Sequence, residues 1–190
     1  MTQFRAWAAT RAGGPLERLD YDPGTLHPED VEIAVEYCGV CHSDLAMVDS
    51  EWFPVTYPLV PGHEIIGTVV AVGDQAKGIA VGQRVGIGWH SKSCCHCNFC
   101  MGGEQNLCAK RQPTIVGRHG GFADKVRAHW GWALPIPDGV DPASAGPLMC
   151  GGGTAFLPFV IHGIKPTDKV GVVGIGGLGH LAVKFARAWG

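Results

Sequence analysis

Residues 91–108 read SKSCCHCNFCMGGEQNLC and hold five of the chain's eight cysteines. Four of them, Cys94, Cys97, Cys100 and Cys108, follow a C-x2-C-x2-C-x7-C spacing, and Gly102-Gly103 lets the backbone turn so that the last thiolate meets the first three. Four thiolates close a tetrahedral shell around zinc and leave no position for substrate, so the site reads as structural. An iron–sulfur loop has a shorter last spacing and a proline after its final cysteine, whereas Ala109 follows here. Unliganded thiols are the remaining alternative. Cys95 and His96 lie between the ligands and can in principle replace one, but the regular spacing argues against it.

The composition of the whole chain sets the conditions for that cluster. At 190 residues and 46% hydrophobic, the chain can bury a core without disulfide staples. A net charge of -2, with no run of Lys or Arg, provides no electrostatic footprint for nucleic acid or an anionic membrane. The opening MTQFRAW lacks the basic and apolar regions of a leader, and no stretch of about 18 apolar residues occurs. The expectation is a cytoplasmic protein with neither nucleic acid nor membrane as partner. In a reducing compartment, clustered cysteines bind metal more often than they pair.

Upstream of the cluster, VEIAVEYCG alternates Val31, Ile33, Val35 and Tyr37 with Glu32, Ala34 and Glu36, the pattern of a half-buried strand. CGVCHSDLA follows and puts Cys41 at the strand's end. VPGHEIIGTVVAVG presents His63 and Glu64 on a Pro61-Gly62 turn before another strand, and PLMCGGGTAF offers Cys150 ahead of a glycine run. Two thiolates and an imidazole from three separate turns form a Cys2His set, the donor combination of a catalytic zinc with an open fourth position. Taken singly, each is equally a buried cysteine or a core histidine.

Near the C-terminal end, KVGVVGIGGLGHLAVKFARAWG gives a short apolar strand over residues 170–173 and then Gly174, Gly176 and Gly179 as G-x-G-x-x-G. Helical spacing follows at Leu178, Leu181, Ala182, Phe185 and Ala186. The first glycine allows a tight turn, the second lets a pyrophosphate approach the backbone, and the third lets the helix pack on the strand. The phosphate belongs at the helix N-terminus.

Together, CGVCHSD, GHEIIGTVVAVG, the four-cysteine lobe, MCGGGTAF and VVGIGGLG resemble the zinc-dependent medium-chain alcohol dehydrogenases in order and spacing, and EYCGVCHSDL looks most like their cinnamyl-alcohol-dehydrogenase branch. The resemblance implies two zinc ions per chain, one held by Cys41, His63 and Cys150 with Glu64 beside it and one by the four-cysteine lobe. It implies NADP(H) in preference to NAD(H), a small alcohol or aldehyde as substrate, and a homodimer or homotetramer at full length. Asp44 matches the acid that orients the ligating histidine, and Ser43 the first hydroxyl of a proton relay. His42 matches a contact to the cofactor pyrophosphate. Thr154 matches a nicotinamide contact, with a helix cap as its alternative, and Gly174, Gly176, Gly177, Leu178 and Gly179 match the cofactor turn. Trp52 and Trp89 match walls of the substrate pocket. The chain departs from its relatives at Ala46, where many carry a relay histidine.

The implied architecture is mostly β. A GroES-like barrel covers residues 1–150, with its zinc lobe at 91–108, and residues 151–190 begin an α/β Rossmann fold that stops after one strand-turn-helix unit, as a fragment would. Two other readings stay open: a zinc-binding interaction module or non-catalytic fragment, and a zinc-free quinone-reductase-like relative.

Overall fold

The structure, a computed structural model, describes residues 3–190. Strands β1 (Phe4–Ala9) and β2 (Leu16–Tyr21) form an antiparallel hairpin. The main sheet is built from β3 (Asp30–Gly39), β4 (Glu64–Val72), β5 (Arg84–Ile87), β8 (Lys125–His129) and β9 (Leu134–Pro135), antiparallel throughout, in the order β8-β3-β4-β5-β9. The short strands β6 (His90–Lys92) and β7 (Gln112–Pro113) pair at the neck of the four-cysteine lobe.

Alternation along the strands supplies the core. Val31, Ile33, Ile65, Val69, Val85, Ile87, Val126 and Ala128 all face one buried cluster. Each of the larger side chains contributes about 1.5–3 kcal/mol by leaving water. β1 closes the sheet towards a barrel: Trp7 N–H donates to the Phe122 carbonyl at 2.8 Å, and Ala9 and Leu59 exchange backbone bonds at 2.8 and 2.9 Å.

The expected alternation in β3 holds for Val31 and Ile33 and fails at Glu32 between them and at Tyr37 beyond them. Glu32 is buried because Lys125 and Arg127 of β8 meet its two carboxylate oxygens at 3.0 and 2.8 Å. Tyr37 is 44% exposed because bulges between Glu32 and Ile33 and between Val35 and Tyr37 shift the phase of the strand.

Helix α1 (His42–Val48) follows β3 directly and packs Met47 and Val48 into a second cluster with Ala9, Leu59 and Ile115. Two short helices, α2 (Asn98–Met101) in the lobe and α3 (Pro142–Ala145), precede α4 (Gly151–Ile161) and α5 (Gly177–Trp189). The last two pack through Phe156 against Phe185 and Trp189, with ring centroids 5.3 and 5.8 Å apart. Residues 170–173, expected as a strand, carry no ladder. Extended chain becomes a strand only through backbone bonds to a neighbour, and none lies beside them, so Val173 is fully exposed. Among the described residues no single helix is long and apolar enough to cross a membrane.

Candidate metal and cofactor sites

Three elements bring Cys41, His63 and Cys150 together. Cys41 caps the N-terminus of α1, His63 immediately precedes β4, and Cys150 ends the 3-10 turn that leads into α4. One ligand atom from each of these three and from Glu64 lies within 4.8 Å of the others.

Asp44 organises the first two. Its Oδ1 lies 2.8 Å from His63 Nδ1 and accepts the Gly62 amide at 2.8 Å, while its Oδ2 accepts the Cys41 amide at 3.0 Å. With Nδ1–H held by a carboxylate, the lone pair sits on Nε2. That atom is buried and has no hydrogen-bond partner. An orphaned imidazole nitrogen facing two thiols suits a zinc ion, which accepts all three donors at once. Electrostatics agree: burial, and next the negative charge of Cys41, push the Cys150 thiol up to about 12, a penalty that a bound cation reverses. Burial likewise raises the Glu64 carboxyl above its ordinary range, with His63 pulling the other way. Gly39 makes room for that carboxylate, since a methyl group built there would strike Glu64 Oε2.

The other expected residues fall around this cluster. Ser43 Oγ is 3.5 Å from Cys41 Sγ. Trp89 stands edge-on to His63, centroids 4.9 Å apart at 88°, and Trp52 lies 5.9 Å beyond it and is half exposed. His42 is exposed and belongs to neither the metal-type cluster nor the glycine cleft described below. Ala46 is fully buried.

In the lobe, the Sγ atoms of Cys94, Cys97, Cys100 and Cys108 also lie within 4.8 Å of one another, with Cys97 and Cys100 3.5 Å apart. Cys100 and Cys108 are buried. The His96 amide holds the Cys94 thiol down at about 6, towards the thiolate a metal needs. Cys95 turns away, exposed at φ 59°, and its thiol donates to the Ser93 carbonyl, so neither it nor His96 joins the tetrad.

Thr154, Gly174, Gly176, Gly177, Leu178 and Gly179 line one cleft of about 490 Å3 between α4 and the start of α5. Gly174 takes φ 86°, open space surrounds Gly176, and Gly179 lies so close to the Gly174 carbonyl that a methyl group would collide with it. These three situations correspond to the turn, approach and packing roles of a dinucleotide turn. Thr154 lies inside α4 and does not cap it, because Cys150 occupies the cap position.

Sequence reasoning missed Gly39, which makes room for Glu64, and Gly86 and Gly88, which make room for Met149 beside Cys150; no local pattern separates these glycines from ordinary strand and turn glycines.

Residues 27–138, more than half of the chain, match the family described as the alcohol dehydrogenase GroES-like domain. The chain belongs to the GroES-like alcohol dehydrogenases. Among curated relatives it is 56% identical over 187 residues to an aldehyde reductase of Synechocystis, covering 98% of this chain and 56% of that one. It is 41% identical over 191 residues to cinnamyl alcohol dehydrogenase 7 of Arabidopsis thaliana, covering 96% and 54%. The chain thus spans about half the length of these relatives. Among solved structures, a cinnamyl alcohol dehydrogenase from Sorghum bicolor superposes with a TM-score of 0.93 at 35% identity, covering 99% of this chain and 56% of the other. One from Helicobacter pylori, complexed with NADP(H), gives 0.93 at 30% identity, covering 99% and 57%. The mostly β, GroES-like architecture and the family resemblance carried by the motifs agree with these findings.

Proposed function

We propose that the protein of which this chain forms part is a zinc-dependent alcohol dehydrogenase, or aldehyde reductase, that exchanges a hydride between NADP(H) and a small primary alcohol or aldehyde. The observation that carries this reading is the buried, unpartnered Nε2 of His63 facing the thiols of Cys41 and Cys150. In this reading residues 1–150 form the catalytic unit, and residues 151–190 begin the cofactor domain. There is one zinc at Cys41, His63 and Cys150 and a second at Cys94, Cys97, Cys100 and Cys108. A homodimer or homotetramer is the expected assembly, and the cytoplasm the expected location.

When bound, the catalytic zinc supplies a Lewis acid for the substrate oxygen, and the nicotinamide supplies or takes the hydride. The chain's own residues do the rest. Asp44 keeps His63 in one tautomer and one orientation, the Gly62 amide it accepts fixes α1 against the Pro61-Gly62 turn, and the Cys41 amide it accepts caps the helix. Glu64 waits behind the cluster as an alternative donor. Trp89 and Trp52 wall the approach with flat apolar surface, which favours aromatic or medium-chain substrates over strongly hydrated ones. Ser43, beside Cys41, relays the proton of the alcohol. A hydroxyl's pKa is too high for a terminal base, and Ala46 offers no imidazole, so Ser43 would have to pass the proton on to water or, with a cofactor bound, to its ribose. Thr154 and the turn at Gly174, Gly176, Gly177, Leu178 and Gly179 receive the nicotinamide side and the pyrophosphate, and His42 meets the pyrophosphate from α1.

The test is a zinc determination on the purified full-length protein together with aldehyde-dependent oxidation of NADPH and of NADH. About two zinc ions per chain and faster turnover with NADPH are expected. A protein that retains only the lobe zinc and turns over no aldehyde would instead be a zinc-stabilised interaction module.

A further inference from the structure

We propose that Gly86 and Gly88 are positioning residues for Cys150: together they form a notch at the C-terminal end of β5 that seats Met149 and thereby sets where the Cys150 thiolate meets Cys41 and His63. The inference rests on the reading of those three residues as a metal site.

Of the three donors, Cys150 is the one without a hydrogen-bonded anchor. Cys41 and His63 are both tied to Asp44, whereas the backbone of Cys150 makes only local bonds, its amide to the Pro147 carbonyl at 3.3 Å and its carbonyl to the Thr154 amide at 3.0 Å. These shape the helix entry but do not fix its distance from β3, β4 and β5.

That distance is set by contact. Side chains alternate along β5, so Val85 and Ile87 enter the core while Gly86 faces the other way; Gly86 and Gly88, the residue that follows the strand, both abut Met149. A methyl group built on Gly88 would collide with the Met149 carbonyl oxygen. One built on Gly86 would strike the Met149 sulfur and stand 3.1 Å from Ile136. Neither glycine has a left-handed φ, so backbone conformation does not demand glycine at these positions; the approach of residue 149 does. The start of the same segment is equally close, since a methyl group on Gly146 would stand 2.9 Å from the Glu64 carbonyl and 3.2 Å from the Gly39 amide. Residues 146–150 therefore lie directly on bare sheet backbone, and one added carbon under Met149 lifts Cys150 away from its two partners.

The two glycines differ in a testable way. At Gly88 the obstacle is backbone, which must move as a unit and take Cys150 with it. At Gly86 it is a thioether, which can swing aside.

The experiment follows zinc release from the purified full-length protein to a chromophoric chelator, with Cys41→Ala and Cys97→Ala identifying the phase that belongs to each site and a thermal melt run beside each variant. Gly88→Ala should release the Cys41–His63–Cys150 zinc about tenfold faster or more, within the range for residues that orient metal ligands. Gly86→Ala should do so severalfold, and the lobe phase should not change in either. Unchanged release in both variants, or equal acceleration of both phases with a lowered melt, would overturn the proposal and leave the glycines a packing role. If Gly88→Ala does not fold, Gly86→Ala decides on the same two readings. A single phase in the unsubstituted chain that disappears with Cys97→Ala would mean that the Cys2His reading itself has failed, whatever the glycines do.

Discussion

Asp44 Oδ1 stands 2.8 Å from His63 Nδ1 and accepts the Gly62 amide at the same distance, so one carboxylate oxygen fixes both the histidine and the turn that presents it. Asp44→Asn keeps the shape but weakens the acceptor and can offer an NH2 to Nδ1, which favours the tautomer with its proton on Nε2. We expect a 10–100-fold loss of zinc affinity at the Cys41–His63–Cys150 cluster, with the lobe unaffected. Competition against a chelator measures it, and equal affinity in the two proteins would remove Asp44 from the site's design.

The two cysteine clusters should separate in their effects. Cys100 and Cys108 are buried inside a loop whose strands β6 and β7 contribute only three and two residues, so the lobe has little besides its ligands to hold it. Cys97→Ala should lower the melting temperature markedly, because metal binding and folding are coupled there. Cys41→Ala sits at the edge of an intact barrel core and should abolish activity with a smaller shift. Equal destabilisation by both variants, followed by calorimetry, would contradict this division.

Spacing made the lobe legible in the sequence, because four cysteines spaced C-x2-C-x2-C-x7-C within fifteen residues match the donor set of a closed tetrahedral metal site. The second metal-type cluster was legible as a Cys2His donor set on three turns, but its assembly was not: its residues are separated by 22 and 87 positions, and nothing local says that α1, β4 and α4 converge. Burial of Glu32 was not legible at all, since its partners Lys125 and Arg127 lie more than 90 residues away. The strand expected at residues 170–173 illustrates the converse. Its apolar run is a sound local signal, but a strand is a property of a pair, and no neighbour lies beside it.

Ala46 is the position where the resemblance places a relay histidine, and it is fully enclosed on the inner face of α1 beside Met47. With no surface exposed at Ala46, an imidazole there must displace the side chains packed around it. We expect Ala46→His to cost about 1–3 kcal/mol through overpacking and to displace α1, slowing turnover in both directions. Urea unfolding checks the first part. Unchanged stability with a new pH dependence confined to alcohol oxidation would show that the helix face opens to the proton path instead.

Tyr21 gives the pH dependence of the barrel itself. Burial, reinforced by the charge of Asp124, pushes its hydroxyl up to about 12, while Arg127 and Arg118 pull down and Glu32 pushes up more weakly. Its ring is fixed by Phe4 at 5.6 Å and His119 at 4.4 Å, contacts that a phenylalanine preserves. In the unfolded chain a tyrosine ionises near its ordinary value of about 10. The folded state therefore binds the extra proton between the two values, and stability that is fully present below about pH 10 declines as the pH rises through the folded value. Tyr21→Phe abolishes that contribution. Urea denaturation at about pH 8 and about pH 11 should show a smaller loss of unfolding free energy in Tyr21→Phe than in the unsubstituted chain, with other tyrosines, lysines and cysteines contributing equally to both. Identical losses would mean that the Tyr21 hydroxyl ionises as freely in the fold as outside it.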